Sequence, residues 1–261
     1  MRDYSIAKKF KHYFQIQLAN TKELREEVFK IRYGVYSNEL GWEAKNSLKM
    51  ETDDCDNYAH HCLLKHKRTG TYAGCVRLII PPKNKPDLLL PFEKNCLQSA
   101  RTDIIDSTRL PRGSFGEISR LAVLSSFRRR TERRRQPFVI NEIEQTTAFT
   151  EDEHRNFPNI AIGLYLASVS LAEICNHQDT FVMMEPKLRR CLFRIGLQFQ
   201  QVSETIDYHG KRAMFHLPRD GFSANLKPEL KELYSVINAE LLEQRSIVPF
   251  ADSAVGSEQL P

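Results

Sequence analysis

The stretch "GEISRLAVLSSFRRR", Gly116 to Arg130, reads as a buried strand, yet it carries Glu117 and Arg120 inside it and runs out into arginines. A carboxylate or guanidinium taken out of water is strongly unfavourable unless a partner is supplied. The two residues are three apart, which on a regular strand puts them on opposite faces. Either they serve different sites, or a bulge turns the strand between or just beyond them.

Upstream of this strand, "FQIQLA" alternates as a strand and runs into "NTKELREEVFKIRYGVYSNEL". There Asn20 is placed to cap a helix with Glu23 at its third position, and Leu24, Val28, Ile31 and Val35 form one apolar stripe. Arg25, Phe29, Arg32 and Tyr36 run beside that stripe. Strands "HHCLLKH" and "YAGCVRLIIP" come next, joined by the turn "KRTG", and an irregular stretch from Pro82 to Ser114 leads back to the opening strand. Downstream, a connecting helix is predicted near Pro137 to Phe149 and a core helix from about Pro158. After them come strand "TFVMMEP", helix "PKLRRCLFRIG" and late strands around "FQQVSETIDYHG" and "KRAMFHLP". Antiparallel pairing followed by a βαβ crossover predicts an α/β (α+β) fold: a mixed, mostly antiparallel sheet with helices on both faces. Residues 1–248 read as one domain, and the small, polar residues 249–261 as a loose tail.

At 261 residues and 41% hydrophobic, the chain can bury a substantial core. Its formal charge of +5 is modest, but "FRRRTERRR" gathers Arg128, Arg129, Arg130, Arg133, Arg134 and Arg135 into a local anion-binding surface. The six cysteines stand singly, without a CxxC pair, and the amino-terminal residues lack an apolar signal core, as expected of a reduced, cytoplasmic protein with buried thiols. The most apolar run, Ile160 to Cys175, is too short for a membrane span and contains Glu173, so no transmembrane segment is expected.

Arg32 and Tyr36 are neighbours on one helical face, with Trp42, the only tryptophan, just beyond. A snorkelling arginine beside packed aromatics would look the same. "ETDDCD" gathers Glu51, Asp53, Asp54 and Asp56; a solvated acidic loop is the plain alternative, and a calcium loop lacks its central glycine and terminal glutamate. Arg77, in "GCVRLII", needs a carboxylate, and Asp53, Asp56 and Glu117 are the candidates. The expectation is a network of Arg32, Asp53, Asp56, Arg77, Glu117 and Arg120 lining one cavity, with a purely structural ion network as its alternative.

Taken together, Arg32-xxx-Tyr36-x5-Trp42, Asp53-xx-Asp56, Arg77-Leu78 after Gly-Cys, and Glu117-xx-Arg120 resemble the signature of the acyl-homoserine lactone (autoinducer) synthases, over about half the chain. The fuller set of "CDNYAHH", "PFE", "EISRLAV", "FRRR", "MMEPKLRR" and "DYHGKRA" is still more similar to the PEP-CTERM/exosortase-associated acyltransferases and N-acyl amino acid synthases. This resemblance implies the GNAT fold, with a splayed strand pair and a bulge that frees a backbone N–H, here near Leu121 to Val123, to meet the acyl thioester. It implies Glu117 as general base, with Arg120 and Arg77 positioning it or the acceptor's carboxylate. Arg32, Tyr36, Trp42, Asp53 and Asp56 would shape the acceptor pocket, and Met183 and Met184 the acyl wall. Phe127, Arg128, Arg129 and Arg130 would take the phosphopantetheine of an acidic acyl carrier protein.

Two departures from the family pattern stand out. Arginines occupy the place of the usual phosphate-cradling glycine loop, which favours a carrier-bound donor over free acyl-CoA. Phe193 stands where many members keep a tyrosine that protonates the leaving thiolate, leaving Tyr208, His209 or water for that task. No permanently bound cofactor and no metal is expected. The resemblance thus implies amide-forming transfer of a long fatty acyl group to an amino acid, with S-adenosylmethionine as the alternative acceptor, giving a homoserine lactone. Covalent catalysis by a cysteine lacks a supporting histidine motif, Cys75 and Cys191 reading as core thiols. A nucleic-acid-binding module would rest on the arginine run alone and leave Asp53, Asp56, Arg77 and Glu117 unexplained.

Overall fold

The computed structural model describes residues 5–128 and 149–247. The expected connecting helix near Pro137, Arg129, Arg130, Arg133, Arg134, Arg135 and the tail from 249 lie outside the described residues.

Helix α1 (Ile6–Tyr13), capped by the Ser5 side chain, leads into β1 (Phe14–Leu18) and α2 (Lys22–Arg32). The cap of α2 is Thr21, whose hydroxyl accepts from Leu24 N–H, rather than Asn20. The helix then widens into a π-helical segment over Tyr33–Glu39, an insertion often found at functional sites. Strands β2 (Ala59–His66) and β3 (Tyr72–Ile79) form the expected hairpin. The stretch from Pro82 to Ser114 is less irregular than expected, because it contains α3 (Pro91–Cys96), opened by Pro91 at the position where a missing N–H costs nothing. Strand β4 (Phe115–Val123) is followed, beyond the undescribed residues, by α4 (Glu151–Asn156), α5 (Pro158–Ile174), β5 (Asp179–Met184) and α6 (Pro186–Ile195). Short strands β6 (Gln200–Gln201) and β7 (Ile206–Asp207), β8 (Lys211–Pro218) and helix α7 (Pro228–Ile247) complete the elements.

The sheet runs β1-β2-β3-β4-β5-β8, with β6 and β7 each pairing β8. All pairings are antiparallel except β4 with β5, the two strands joined by the crossover. Side-chain alternation sorts the residues cleanly. One face carries Ile16, Cys62, Leu64, Val76, Leu78, Ile118, Val182 and Met184 into the main core, where α5, apolar around most of its circumference, packs with α1 and α7. The other face splits: Leu63 and Cys75 meet the apolar stripe of α2, whereas Phe115, Phe181 and Met214 meet Phe92 of α3. Helix α7 also shields the edge of the sheet. Glu240 and Gln244 accept the Ile16 and Leu18 N–H groups of β1, which would otherwise offer an open template for another strand. Among the described residues no helix is long and apolar enough to cross a membrane. Four cysteines are buried, but Cys191 is exposed and so is not the core thiol expected.

Two irregularities set β4 apart from the other strands. Its antiparallel register against β3 moves from Arg77↔Ser119 to Cys75↔Ala122, so β4 holds one extra residue there; Arg120, at φ 51°, adopts the left-handed conformation of a bulge. Gly74, opposite, permits the close approach, since a Cβ at that position would sit 2.5 Å from the Ala122 carbonyl oxygen. On its other side β4 pairs β5 only from Phe115↔Asp179 to Ile118↔Val182. From Ser119 onward the two parallel strands splay.

Candidate active site

The splay opens a cavity of about 550 Å³, walled by Leu121 and Val123 of β4, Met183 and Met184 of β5, and Ala161 and Tyr165 of α5. A smaller cavity of about 150 Å³ adjoins it on the polar side and contains Glu117, Asp53 and Arg77. The two share Ser119 and Arg120 on β4, Met183, the Tyr36 and Trp42 rings, and Arg212. An apolar cleft therefore meets a charged pocket where the strands part.

Register explains why Glu117 faces that pocket. Ile79↔Glu117, Arg77↔Ser119 and Glu117↔Phe181 place Arg77, Glu117, Ser119 and Met183 on one face of the sheet. On a regular strand Arg120 would point away from it. The bulge instead returns its guanidinium to the same side, 3.0 Å from Glu43, 3.2 Å from Glu51 and 3.4 Å from Asp53, with its carbon 5.5 Å from the Tyr36 ring centre.

Beneath this pocket lies the expected ion network, extended by Glu51 and without Glu117, whose hydrogen-bond donor is the Phe92 N–H. Arg77 donates to Asp53 at 2.6 Å, Asp56 at 2.7 Å and Ser119 at 3.0 Å. Arg32, fully buried, donates to Glu51 and, at 2.6 Å, to Asp56. Asp53 and Asp56 also build the tight turn that presents them, Asp53 accepting from Cys55 N–H and Asp56 from Asp53 N–H. Burial alone would raise the carboxyl pKa of Asp56, but Arg32 and Arg77 reverse it and hold the group below its ordinary 3.8. His61, opposite Arg77 in the β2–β3 register, is held neutral by burial and by the Arg32 and Arg77 charges. The network does not line one cavity as expected: Arg32 and Asp56 line neither, and form the layer behind Arg77 and Asp53.

Glu117 stands apart from these ion pairs. It is 2% exposed and accepts the Phe92 N–H at 2.8 Å, an amide of the first turn of α3. The motif "PFE" thus acquires a role: Pro91 starts the turn, Phe92 donates to Glu117, and Glu93 accepts from Leu90 N–H and from Arg112 at 2.7 Å, fixing the turn in place. Burial pushes the Glu117 carboxyl up to about 8, against the opposing pull of the Phe92 N–H and of Arg77 and Arg120. A carboxyl tuned near neutrality beside a cavity has the properties of a general base.

Tyr36, on the π-helical segment, donates to the Leu121 carbonyl at 2.8 Å and so pins the strand just past the bulge; burial pushes its phenol up to about 12. Its ring packs on Trp42, whose other neighbours are the His209 ring at 5.3 Å and the Arg212 guanidinium at 5.0 Å. Met183 and Met184 line the cleft. Phe127 is 1% exposed and packed with Phe149 and Phe157, so it is a wall of the cleft from within the core; Arg128, beside it, pairs with Glu39. Phe193 is outward-facing, 47% exposed under Arg189, whereas Tyr208 and His209 stand on the smaller cavity. Sequence reasoning missed Glu43, Ser119 and Arg212; of these, Ser119 lies in the motif "EISRLAV" and Arg212 in "DYHGKRA", whereas Glu43 lies in none of the motifs that carry the resemblance.

Residues 31–134 match the acetyltransferase (GNAT) domain family. Over 52 residues the chain is 38% identical to an acyl-homoserine-lactone synthase of Vibrio anguillarum, an alignment spanning 20% of this chain and about a quarter (27%) of that relative. The fold superposes on the acyl-homoserine lactone synthase LasI with a TM-score of 0.54 at 14% identity, covering 82% of this chain and 97% of LasI. It superposes on FeeM, an N-acyl amino acid synthase from uncultured soil microbes, with a TM-score of 0.51 at 12% identity, covering 83% and 97%. A CoA-dependent acyl-homoserine lactone synthase, MesI, gives 0.52 at 16% identity, covering 86% and 95%. The bulged, splayed β4 thus lies within the residues similar to the GNAT acetyltransferase domain family, and the chain has the fold of acyl-homoserine lactone synthases and an N-acyl amino acid synthase.

Proposed function

We propose that this protein is an N-acyltransferase that moves a long-chain fatty acyl group from an acyl carrier protein thioester to the amine of an amino acid, by direct transfer. The observation that carries this reading is the junction at Ser119 and Arg120, where an apolar cleft meets a pocket holding Glu117 with a pKa of about 8. The fatty chain fills the cleft against Met183 and Met184, and the phosphopantetheine leaves it past Phe127 and Arg128, with Arg128, Arg129 and Arg130 taking its phosphate and the acidic carrier protein. An ammonium acceptor gives a proton to Glu117, directly or through water, and the freed amine attacks the thioester carbonyl carbon. The carbonyl oxygen takes negative charge and is met by a backbone N–H between Leu121 and Val123, on the edge of β4 that β5 has left. One such preorganised donor contributes roughly 3–4 kcal/mol to the transition state. As the tetrahedral centre collapses the C–S bond breaks, the second proton leaves nitrogen and reaches the thiolate by way of Tyr208, His209 or water, and Glu117 returns the first proton to solvent.

Holding both reactants in adjoining cavities supplies much of the remaining acceleration. Arg77 and Arg120, tied to Asp53, Asp56, Glu43 and Glu51, orient the pocket; Arg32 and Asp56 brace it from behind. A pocket of about 150 Å³ suits an amino acid better than S-adenosylmethionine with its nucleoside. Similarity in the late motifs to N-acyl amino acid synthases supports the same acceptor. The test is incubation with palmitoyl acyl carrier protein or palmitoyl-CoA and either a mixture of amino acids or S-adenosylmethionine, products being read by mass. N-acyl amino acids formed faster from the carrier protein are expected; a homoserine lactone, or faster use of the CoA donor, overturns the corresponding half of the proposal, and the absence of any acylated amine overturns both.

A further inference from the structure

Three guanidinium groups reach the smaller cavity, and two are paired with carboxylates. Arg77 is committed to Asp53, Asp56 and Ser119, and Arg120 to Glu43, Glu51 and Asp53. Arg212 differs. Its planar group lies over the Trp42 ring, its Nε is buried with no hydrogen-bond partner, and among the described residues no carboxylate pairs with it. A buried donor left without an acceptor is unfavourable, and such groups are few in native proteins. Stacking on an aromatic face satisfies the flat side of a guanidinium but leaves its N–H edge open, which is the edge that takes a carboxylate in a two-pronged bond.

The placement of Arg212 is built by the fold rather than by side-chain chance. It stands next to Ala213 on β8, where the pairing with β5 ends at Met184↔Ala213, and opposite Ile206 of β7. Alternation along β8 puts it on the face of Met214, the same face as Met183, Glu117 and Arg77. The β7–β8 turn, with His209 at φ 51° and Gly210 at φ 96°, brings His209 onto the Trp42 ring as well, so that ring is held from several sides. Arg212 lines both cavities, and Glu117 lines the smaller one with it.

We infer that Arg212, stacked on Trp42, is the anchor for the acceptor's carboxylate, so that the acceptor class is amino carboxylates rather than simple amines. This rests on the acyl transfer proposed above: with the carboxylate on Arg212 and the amine towards Glu117, a short amino acid spans the pocket and presents its nitrogen to the thioester at Ser119 and Arg120. An amine without the carboxylate leaves Arg212 unsatisfied and the nitrogen unregistered.

The experiment compares matched acceptors: glycine, leucine and phenylalanine against methylamine, 3-methylbutylamine and phenethylamine, with palmitoyl acyl carrier protein as donor. The wild-type protein is expected to prefer the amino acids on the order of a hundredfold in kcat/KM, the range expected of a charged hydrogen-bonded pair. In Arg212→Gln that preference collapses to within a few-fold, mainly through a raised KM for the amino acids, and Arg212→Lys falls between the two. A preference that survives Arg212→Gln, or equal loss on both acceptor classes, overturns the anchor. If the wild-type protein acylates no amine, the transfer reading fails, and the anchor is decided by melting temperature: the amino acids at tens of millimolar should stabilise the wild-type protein and not Arg212→Gln. Equal stabilisation of both, or none of the wild-type protein, overturns it.

Discussion

Replacing Glu117 by Gln should remove activity and add stability, and the two effects have one cause. The carboxyl of Glu117 titrates at about 8 in the folded protein instead of at its ordinary 4.5, because burial disfavours its charged form. Between those values the folded state binds a proton that the unfolded chain has released. The stability contributed by that proton is present in full below pH 4.5 and is lost as pH rises through 8. Integrated from the acid limit to pH 7, the loss comes to about 3 kcal/mol, and about a tenth of the molecules hold the charged carboxylate at that pH. Gln cannot ionise, yet its side-chain oxygen can still accept the Phe92 N–H. The Gln variant should therefore unfold at higher urea than the wild-type protein above neutrality, by up to about 3 kcal/mol near pH 7, the gap closing below pH 5.

Catalysis should move the opposite way. Because the base acts as the carboxylate, kcat/KM for the wild-type protein should rise nearly tenfold per pH unit below 8 and level off above it. The Gln variant should lose about 10²- to 10⁴-fold, the usual worth of a positioned base. Acceptor ammonium groups also titrate in the alkaline range, so the activity profile alone is ambiguous; the urea series reads Glu117 alone. Parallel stability profiles for the two proteins between pH 5 and 9 would refute this account of Glu117, as would an activity profile already flat at pH 6.

Asp56→Asn leaves Arg32 and Arg77 short of a buried charge, and should cost about 3–5 kcal/mol in urea unfolding at pH 7. Because the folded pKa of Asp56 lies below 3.8, its contribution is present above that pH and fades as pH falls through the folded value, so variant and wild type should converge in acid. Ala161→Phe, projecting into the cleft from α5, should shift the preferred acyl chain to shorter lengths, read as product masses from a ladder of acyl carrier protein donors; an unchanged length profile would place the chain elsewhere. Replacing Arg128, Arg129 and Arg130 together by Gln should weaken carrier-protein binding most at low salt, with the affinities of the two proteins converging as salt is raised. Gly74→Ala drives a methyl group against the Ala122 carbonyl and should cost about 1–3 kcal/mol while lowering activity, because it presses on the bulge itself.

Much of this was legible in the residues because burial patterns announce themselves. "FQIQLA", "HHCLLKH" and "YAGCVRLII" alternate or run apolar as sheet strands must, and the demand of Arg77 for a carboxylate follows from the cost of a buried charge. The bulge was one of two options left by the Glu117 to Arg120 spacing, and β4 takes it. What escaped had weaker local signals. Helices α1 and α7 owe their place to packing on the sheet across more than two hundred residues of chain, which no short window records. Helix α3 is six residues long and held by Arg112 and Glu117 from elsewhere. Arg212 resembles any arginine opening a strand until β7, β8 and Trp42 are brought together.

One extra residue in β4 accounts for both halves of the site. Without the bulge, Arg120 would face α5 and the main core, and the strand would keep its pairing partners on both sides. With it, the guanidinium turns towards Glu43, Glu51 and Asp53, and Tyr36 holds the Leu121 carbonyl in the altered path. The same change of path coincides with the point where β5 lets go, between Ile118 and Ser119. Glu117 lies on the last stretch where β4 is still clamped by β3 and β5, and the cleft begins just beyond it. A base on rigid, fully paired strand beside a donor groove on unpaired strand is an arrangement that regular β-structure cannot provide. The acidic turn holds this one irregularity through Asp53 to Arg120, the π-helical segment holds it through Tyr36 to the Leu121 carbonyl, and the first turn of α3 fixes Glu117 on the regular strand beside it.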